Sequence, residues 1–348
     1  MKIEIRSLTI LVCAALALIS CTQKPHDPEP ENIPIGFRPM SQAVWVKSDP
    51  KPLSDFYPDF GVWGIARHSE ISSPYILWTS DDLTQVTKNN AANAPANQYI
   101  PTEDAYWLSG YEYTFLAVAP YGDTGMSDVS FTLKDATGNT TGKDLMTFTY
   151  DLSSKYTQNT PQSLAFDFLG AAAESGVIAG GHSSPQPLTF WHLLSKLCIK
   201  VNFIGVAGAV TEIRLSDVVT KGSYRISLDN VEDFDKPLNI IYTPSENETD
   251  KMSLVLDSTN KVPNATSQWI LHIIPQVVTG FDMYMDFKIG DVEVNNFKVN
   301  LSAAGDVSYT HNGAYNWNIN ITPKGITFNP TVTPWVEDTD GDHDFDFE

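Results

Sequence analysis

The chain has 348 residues, of which 42% are apolar, 11% aromatic and only 18% charged, with a formal net charge of −20. That length accommodates two ordinary domains, each with its own core. The acidity opposes phosphate backbones and so excludes nucleic acid as a partner; the low charge content with abundant Asn, Thr, Ser and Tyr is that of an extracellular β protein, not a helical cytosolic enzyme.

At the N-terminus, Lys2 and Arg6 precede an apolar run from Leu8 to Ile19 that is too short for a permanent membrane span. The run closes in Leu18-Ile19-Ser20-Cys21, which resembles the lipobox of bacterial lipoproteins. The resemblance implies cleavage between Ser20 and Cys21 and lipid on Cys21, the alternative being an ordinary secretory signal with an incidental cysteine. Residues 1–20 are then a signal peptide that removes Lys2, Arg6, Glu4 and Cys13, leaving a mature charge of about −21. Residues 21–32, acidic and proline-rich, cannot bury apolar surface and read as a tether.

Short strands are expected at Ile33–Arg38 and Ala43–Lys47, then at Phe60–Ala66. From Tyr75 to Leu108 the pattern is weak. It recovers in Trp107–Pro120, where Tyr111, Tyr113, Phe115, Ala117 and Ala119 share one face of a strand. Phe131–Leu133 and Asp144–Tyr150 are further candidates. The glycines and prolines between Leu169 and Pro187 predict a connection, with at most a helical turn at Ala171–Glu174, and the domain boundary is placed at 171–186.

The run Pro187–Ile204 predicts one long strand. Trp191, Leu193, Leu197, Ile199, Val201 and Phe203 take one face, and His192, Lys196, Lys200 and Asn202 the other. A helical period fits Leu193, Leu194 and Leu197 as well, but the β-branched and aromatic alternation favours a pleat. Cys198 lies inside this strand as a buried hydrophobe, not a nucleophile or ligand. Strands follow at Val210–Leu215, Gly222–Leu228, Met252–Leu256, Gln268–Pro275, Phe281–Ile289, Phe297–Leu301 and Tyr315–Ile321, spaced as in a β-sandwich.

No zincin, nucleophile-elbow, P-loop or cysteine-pair zinc motif is present. His182, His192, His272 and His311 are scattered and read as satisfied or exposed, and no cofactor or metal is expected. The tail 338–348 alternates Asp around Gly341 but lacks the spacing and terminal Glu of a calcium loop, so it reads as solvated.

Several landmarks follow one another in a telling order: Asp144-Leu-Met146, Leu188-Thr-Phe-Trp-His192, Ile273-Ile-Pro-Gln276, the aromatic strand at 315–321, then Ile326-Thr-Phe328 and Val332-Thr-Pro-Trp335. Together with the lipobox they resemble the fimbrillin-like family, subunits of type V pili on Bacteroidales-type bacteria. The resemblance implies an all-β fold of two tandem transthyretin-like sandwiches, at 33–170 and 187–337. It also implies a non-enzymatic structural subunit of a cell-surface fimbria, held at the outer membrane through lipid on Cys21, with other pilus subunits as partners and a host glycan or protein as a further ligand. Assembly in the family is donor-strand exchange after proteolysis. The donor would be 326–336, with Ile326, Phe328, Val332 and Trp335 filling pockets; cleavage would fall at Arg38, Lys47 or Arg67, of which Arg38 precedes a proline. The alternatives are a lipid-retaining anchor or tip subunit, or a glycan-binding surface lipoprotein using Trp63, Trp78 and Trp107.

Overall fold

The computed structural model describes residues 33–41, 57–78, 81–95, 97–156, 166–179, 184–228, 238–258, 261, 267–276, 282–301 and 309–334. In the first half the strands are β1 (Phe37–Ser41), β2 (Asp59–His68), β3 (Ile71–Ile76), β4 (Thr84–Lys88), β5 (Tyr99–Pro101), β6 (Tyr111–Ala119), β7 (Met126–Thr132), β8 (Leu145–Asp151), β9 (Leu169–Val177) and β10 (Gln186–His192). The second half adds β11 (Ser195–Phe203), β12 (Gly208–Val219), β13 (Lys221–Leu228), β14 (Leu238–Pro244), β15 (Lys251–Leu256), β16 (Gln268–Ile273), β17 (Asp282–Ile289), β18 (Val292–Val299), β19 (Gly313–Thr322) and β20 (Gly325–Pro334). A single helical turn, α1 (Ser153–Tyr156), follows β8. The chain is all-β, as its composition and alternation predict.

The first sheet closes on itself. Its order is β2-β4-β5-β1-β10-β9-β6, and β6 pairs back onto β2 from Gly61↔Val118 to His68↔Tyr111, while β3 continues as a hairpin on β2. Closure removes the two edges that an open sheet would present. Alternation along β2 and β6 sorts side chains between two environments. Phe60, Val62, Tyr113, Phe115, Ala117 and Ala119 point into the barrel, and Trp63, Ile65, Leu116 and Val118 point out of it into a second core. Both faces are apolar because both are covered, which is why β6 is buried along nearly its whole length.

Outside the barrel lies the sheet β14-β13-β8-β7, and the indole of Trp63 stacks on Phe131 of β7 at 4.6 Å. The other two sheets, β16-β11-β19-β20 and β15-β12-β17-β18, face each other, with Phe203 and Phe287 meeting at 6.4 Å. Tyr315, Trp317, Ile319 and Ile321, expected inward, are all buried.

Three expectations are corrected by this topology. Residues 171–177, expected in a connection, belong to β9, which is paired with β6 on one side and β10 on the other. Its alanines and glycine are small because the strand is covered: a Cβ at Gly170 would lie 3.1 Å from Leu193. The long strand expected over 187–204 is two strands in different sheets, since Leu193 and Leu194 are both fully buried and break the alternation. Finally, pairing crosses the boundary expected at 171–186, because β13 from the second half lies against β8 from the first, Ser227↔Leu145 to Lys221↔Asp151. One buried cluster accordingly runs from Trp63 to Ile321. No helix among the described residues is long and apolar enough to cross a membrane.

Candidate assembly site

The N-terminal segment Ile33–Ser41 fills a slot in the barrel wall. Trp107 N–H donates to the Ile33 carbonyl at 3.1 Å, Ile35 N–H donates to the Ala105 carbonyl at 2.8 Å, and Gln186 N–H donates to the Gly36 carbonyl at 2.8 Å. β1 then runs parallel to β10, from Phe37↔Gln186 to Ser41↔Phe190, whereas its opposite edge meets β5 in a single pair, Phe37↔Tyr99. A Cβ at Gly36 would lie 2.9 Å from Gln98 Nε2, the movable end of that side chain, and 3.5 Å from the Tyr99 carbonyl. The floor of the slot is aromatic: the fully buried Phe37 ring meets Phe115 edge-on at 5.1 Å and Phe60 at 5.9 Å, and Phe60 meets Phe190 at 5.3 Å. β1 is therefore held by one continuous ladder and by an apolar plug, with little ladder on its other side.

At the opposite end of the chain, β20 is an edge strand. It pairs with β19 along its whole length, from Thr322↔Gly325 to Gly313↔Pro334, through a tight turn in which Thr322 Oγ1 donates to the Gly325 carbonyl at 2.9 Å. Ile326 and Phe328 are half-buried against the core, the Phe328 ring edge-on to Trp317 at 5.4 Å. Val332 lies opposite Tyr315 in the ladder. Trp335, Ser20, Cys21, Lys47, His182 and the tail 338–348 lie outside the described residues. Ile326, Phe328 and Val332 thus share β20, within their own chain's sheet.

Of the cleavage candidates, Arg38 is exposed in the middle of β1, followed by a buried Pro39. Arg67 is engaged otherwise. Its guanidinium makes a two-pronged contact with Asp144, Nη1 to Oδ2 at 2.7 Å and Nη2 to Oδ1 at 2.5 Å, with the Arg67 side chain 13% exposed and that of Asp144 3%. Asp144 also accepts the Lys134 N–H at 2.8 Å. This pair ties β2 of the barrel to the start of β8, a role that the sequence reading missed because its partners are 77 residues apart.

The remaining chemistry-bearing residues are taken up structurally. Cys198 is buried, and burial pushes its thiol up to about 11 against a smaller opposing pull from Lys196. No group of His, Cys, Asp and Glu among the described residues could hold a metal ion. Trp63 and Trp107 are core residues, 2% and 1% exposed, and Trp78 is half-buried with its indole N–H on the Glu103 carbonyl at 3.0 Å. Trp63 faces the second core and Trp107 the barrel interior, so the three do not make one exposed stacking surface.

The chain is thus all-β, with β1 set into an aromatic slot of the barrel wall and β20 at the edge of its sheet. The fimbrillin-like family profile matches residues 59–335, and the chain belongs to that family. Its fold is similar to that of a candidate cell adhesion protein from Bacteroides ovatus, at 17% identity and TM-score 0.52, covering 88% of this chain and 99% of that one. A fimbrial protein from Bacteroides vulgatus aligns at 14% identity and TM-score 0.49, over 88% and 100% of the two chains. The tip fimbrial protein Mfa3 from Porphyromonas gingivalis aligns at 12% identity and TM-score 0.36, over 87% and 99%. No curated protein sequence matches the chain.

Proposed function

We propose that the protein is a non-enzymatic structural subunit of a cell-surface pilus, exported as a lipoprotein acylated at Cys21 and carried to the outer membrane. It joins other pilus subunits by strand exchange, in which β1 leaves its slot and a neighbour's strand takes its place. The donor is the 326–336 segment, with Ile326, Phe328, Val332 and Trp335 as the residues that enter the slot. The observation that carries this reading is the slot itself. A strand laddered along one edge, and plugged by Phe37 into a nest of rings, is replaceable by any strand offering a backbone ladder and an aromatic or aliphatic side chain at the same place. The tandem, transthyretin-like arrangement that the family resemblance implies is proposed with a change: the sheet outside the closed barrel combines β7 and β8 of the first half with β13 and β14 of the second.

A second reading has its own observation. Arg38 precedes a proline and Arg67 is locked to Asp144, which leaves Lys47 as the remaining candidate, and a subunit left uncut there keeps β1 and its lipid and is an anchor or tip of the pilus. Both readings are separated by treating the soluble chain from Thr22 onward with limited trypsin and following it by mass spectrometry and size-exclusion chromatography. A cut between Arg38 and Arg67 followed by oligomer ladders, abolished by deleting 326–348, is the outcome expected of a shaft subunit. A chain that stays monomeric after the cut refutes strand exchange through this slot, and one that resists cutting is an anchor or tip.

A further inference from the structure

The chain passes from the barrel into the sheet of β11 at Leu193–Leu194, and a polar cluster is buried at that crossing. His192, the last residue of β10, places Nδ1 2.5 Å from Asp167 Oδ2. His272 of β16 uses Nδ1 to donate to the Phe166 carbonyl at 2.6 Å, as the acceptor requires. Lys196 of β11 stands directly opposite His272 across the ladder, on the same face with Cβ atoms about 5 Å apart. Lys196, His192 and His272 are all buried.

The strap Phe166–Phe168 is what these groups hold. The Phe168 carbonyl accepts Leu193 N–H at 2.8 Å and the Asp167 carbonyl accepts the Tyr57 hydroxyl at 2.6 Å. On the side of β16, the Tyr156 hydroxyl of α1 donates to the His272 carbonyl at 2.5 Å. Lys155 lies 4.2 Å from the centroid of the Phe166 ring and 3.3 Å from Asp123. Tyr150 of β8 faces the same region; burial raises both it and Tyr156, so they stay neutral phenols. The strap therefore spans the seam between the barrel and the β11 sheet, secured by one carboxylate and two imidazoles.

With Nδ1 of His272 already donating, a further proton goes to Nε2 and creates a buried cation across the ladder from Lys196. Asp167, already bonded to His192, pulls the other way. We propose that this seam is a proton-operated latch, closed while His272 is neutral and released at the Phe166–Phe168 strap when His272 is protonated.

The direction follows from linkage. Burial lowers His272 to about 4, with Asp167 pulling the other way and Lys196 lowering it further, whereas the open strap leaves an ordinary histidine at 6.5. A depressed histidine stabilises the closed state fully above 6.5 and loses that contribution as pH falls toward 4. Burial also raises the Asp167 carboxyl, but His192, His272 and the Phe168 N–H outweigh it and hold it below its usual value, so it stays charged through this window. The ratio of closed to open latch is then roughly twentyfold lower at pH 5 than at pH 7.

The test is native-state hydrogen exchange at the Leu193 amide of the purified protein, corrected for the intrinsic pH dependence, alongside NMR titration of the His272 ring. The expected result is a roughly twentyfold loss of Leu193 protection from pH 7 to pH 5 with Phe115, inside the barrel, unchanged, and a His272 midpoint below 5. His272→Gln, which keeps an amide donor for the Phe166 carbonyl, removes the pH response at Leu193. A His272 midpoint near 6.5, equal losses at Leu193 and Phe115, or a full response in His272→Gln overturns the latch. Should His272→Gln not fold, the titration and exchange of the native chain decide alone.

Discussion

Asp144 shows how a single residue's place in the sequence conceals its work. In a strand of alternating character it reads as an element boundary, yet its carboxylate is nearly sealed and answered by Arg67 from the barrel. Removing one partner leaves the other's charge buried, which costs about 3 kcal/mol, whereas replacing both with apolar residues restores much of it. Arg67→Met is expected to lower the unfolding free energy measured by urea titration by that amount, and Arg67→Met combined with Asp144→Leu to recover more than half; a double variant as weak as the single would show that the pair is not the unit. Arg67→Lys also loses stability, because an ammonium cannot span both carboxylate oxygens. Cys198, by contrast, was legible as buried: its neighbours Leu197 and Ile199 already announce a core strand, and the thiol is covered although alternation sets it on the face of Lys196 and Lys200. Local neighbours can declare burial, but they cannot name a partner 77 residues away.

Among the elements, β1 is the one on which the proposed assembly depends. Truncating Phe37 to Ala empties the centre of the ring cluster and is expected to destabilise the chain by about 3–5 kcal/mol. The same variant should release β1 more readily, checked by amide hydrogen exchange over β1 against the parent; unchanged exchange would mean that the ladder to β10, not the plug, retains the strand. Strands with clean alternation, such as β6 and β19, were readable because side-chain period and burial coincide. β9 was not, since a covered strand in a tight wall is built from Ala and Gly, the same residues that mark a loop. Nor was the break between β10 and β11, where two adjacent leucines are both buried because the chain changes sheets. β3, β4 and β5 are short and lie in a stretch with little alternation, and their pairing is set by β2 and by barrel closure.

For the molecule as a whole, the interleaving of the halves governs how it comes apart. A core that runs from Trp63 to Ile321, with β13 laddered onto β8, couples the barrel's outer face to the sheets that follow. Calorimetry is expected to show one cooperative transition near neutral pH, with a van't Hoff enthalpy matching the calorimetric one. Two separated transitions would mean that the halves melt independently despite the shared core. All-β character and the acidic surface were visible from composition; the closed barrel was not, because closure depends on β6 returning to β2, a pairing between segments about fifty residues apart in a chain whose local pattern is the same for a sandwich.

The parallel arrangement of β1 and β10 sets how the chain answers tension. β10 leads straight through Leu193–Leu194 into β11, which pairs with β19, and β19 in turn with β20. A pull that enters at Ile33 and leaves through β11 drags β1 toward its N-terminal end and β10 toward its C-terminal end. The two strands share a direction, so the load falls along the ladder from Phe37↔Gln186 to Ser41↔Phe190 as shear, and its hydrogen bonds must yield together. An antiparallel neighbour pulled in the same way would open one bond at a time. The slot that β1 would leave in the proposed assembly is thus also a joint loaded in shear when the chain is pulled between Ile33 and β11.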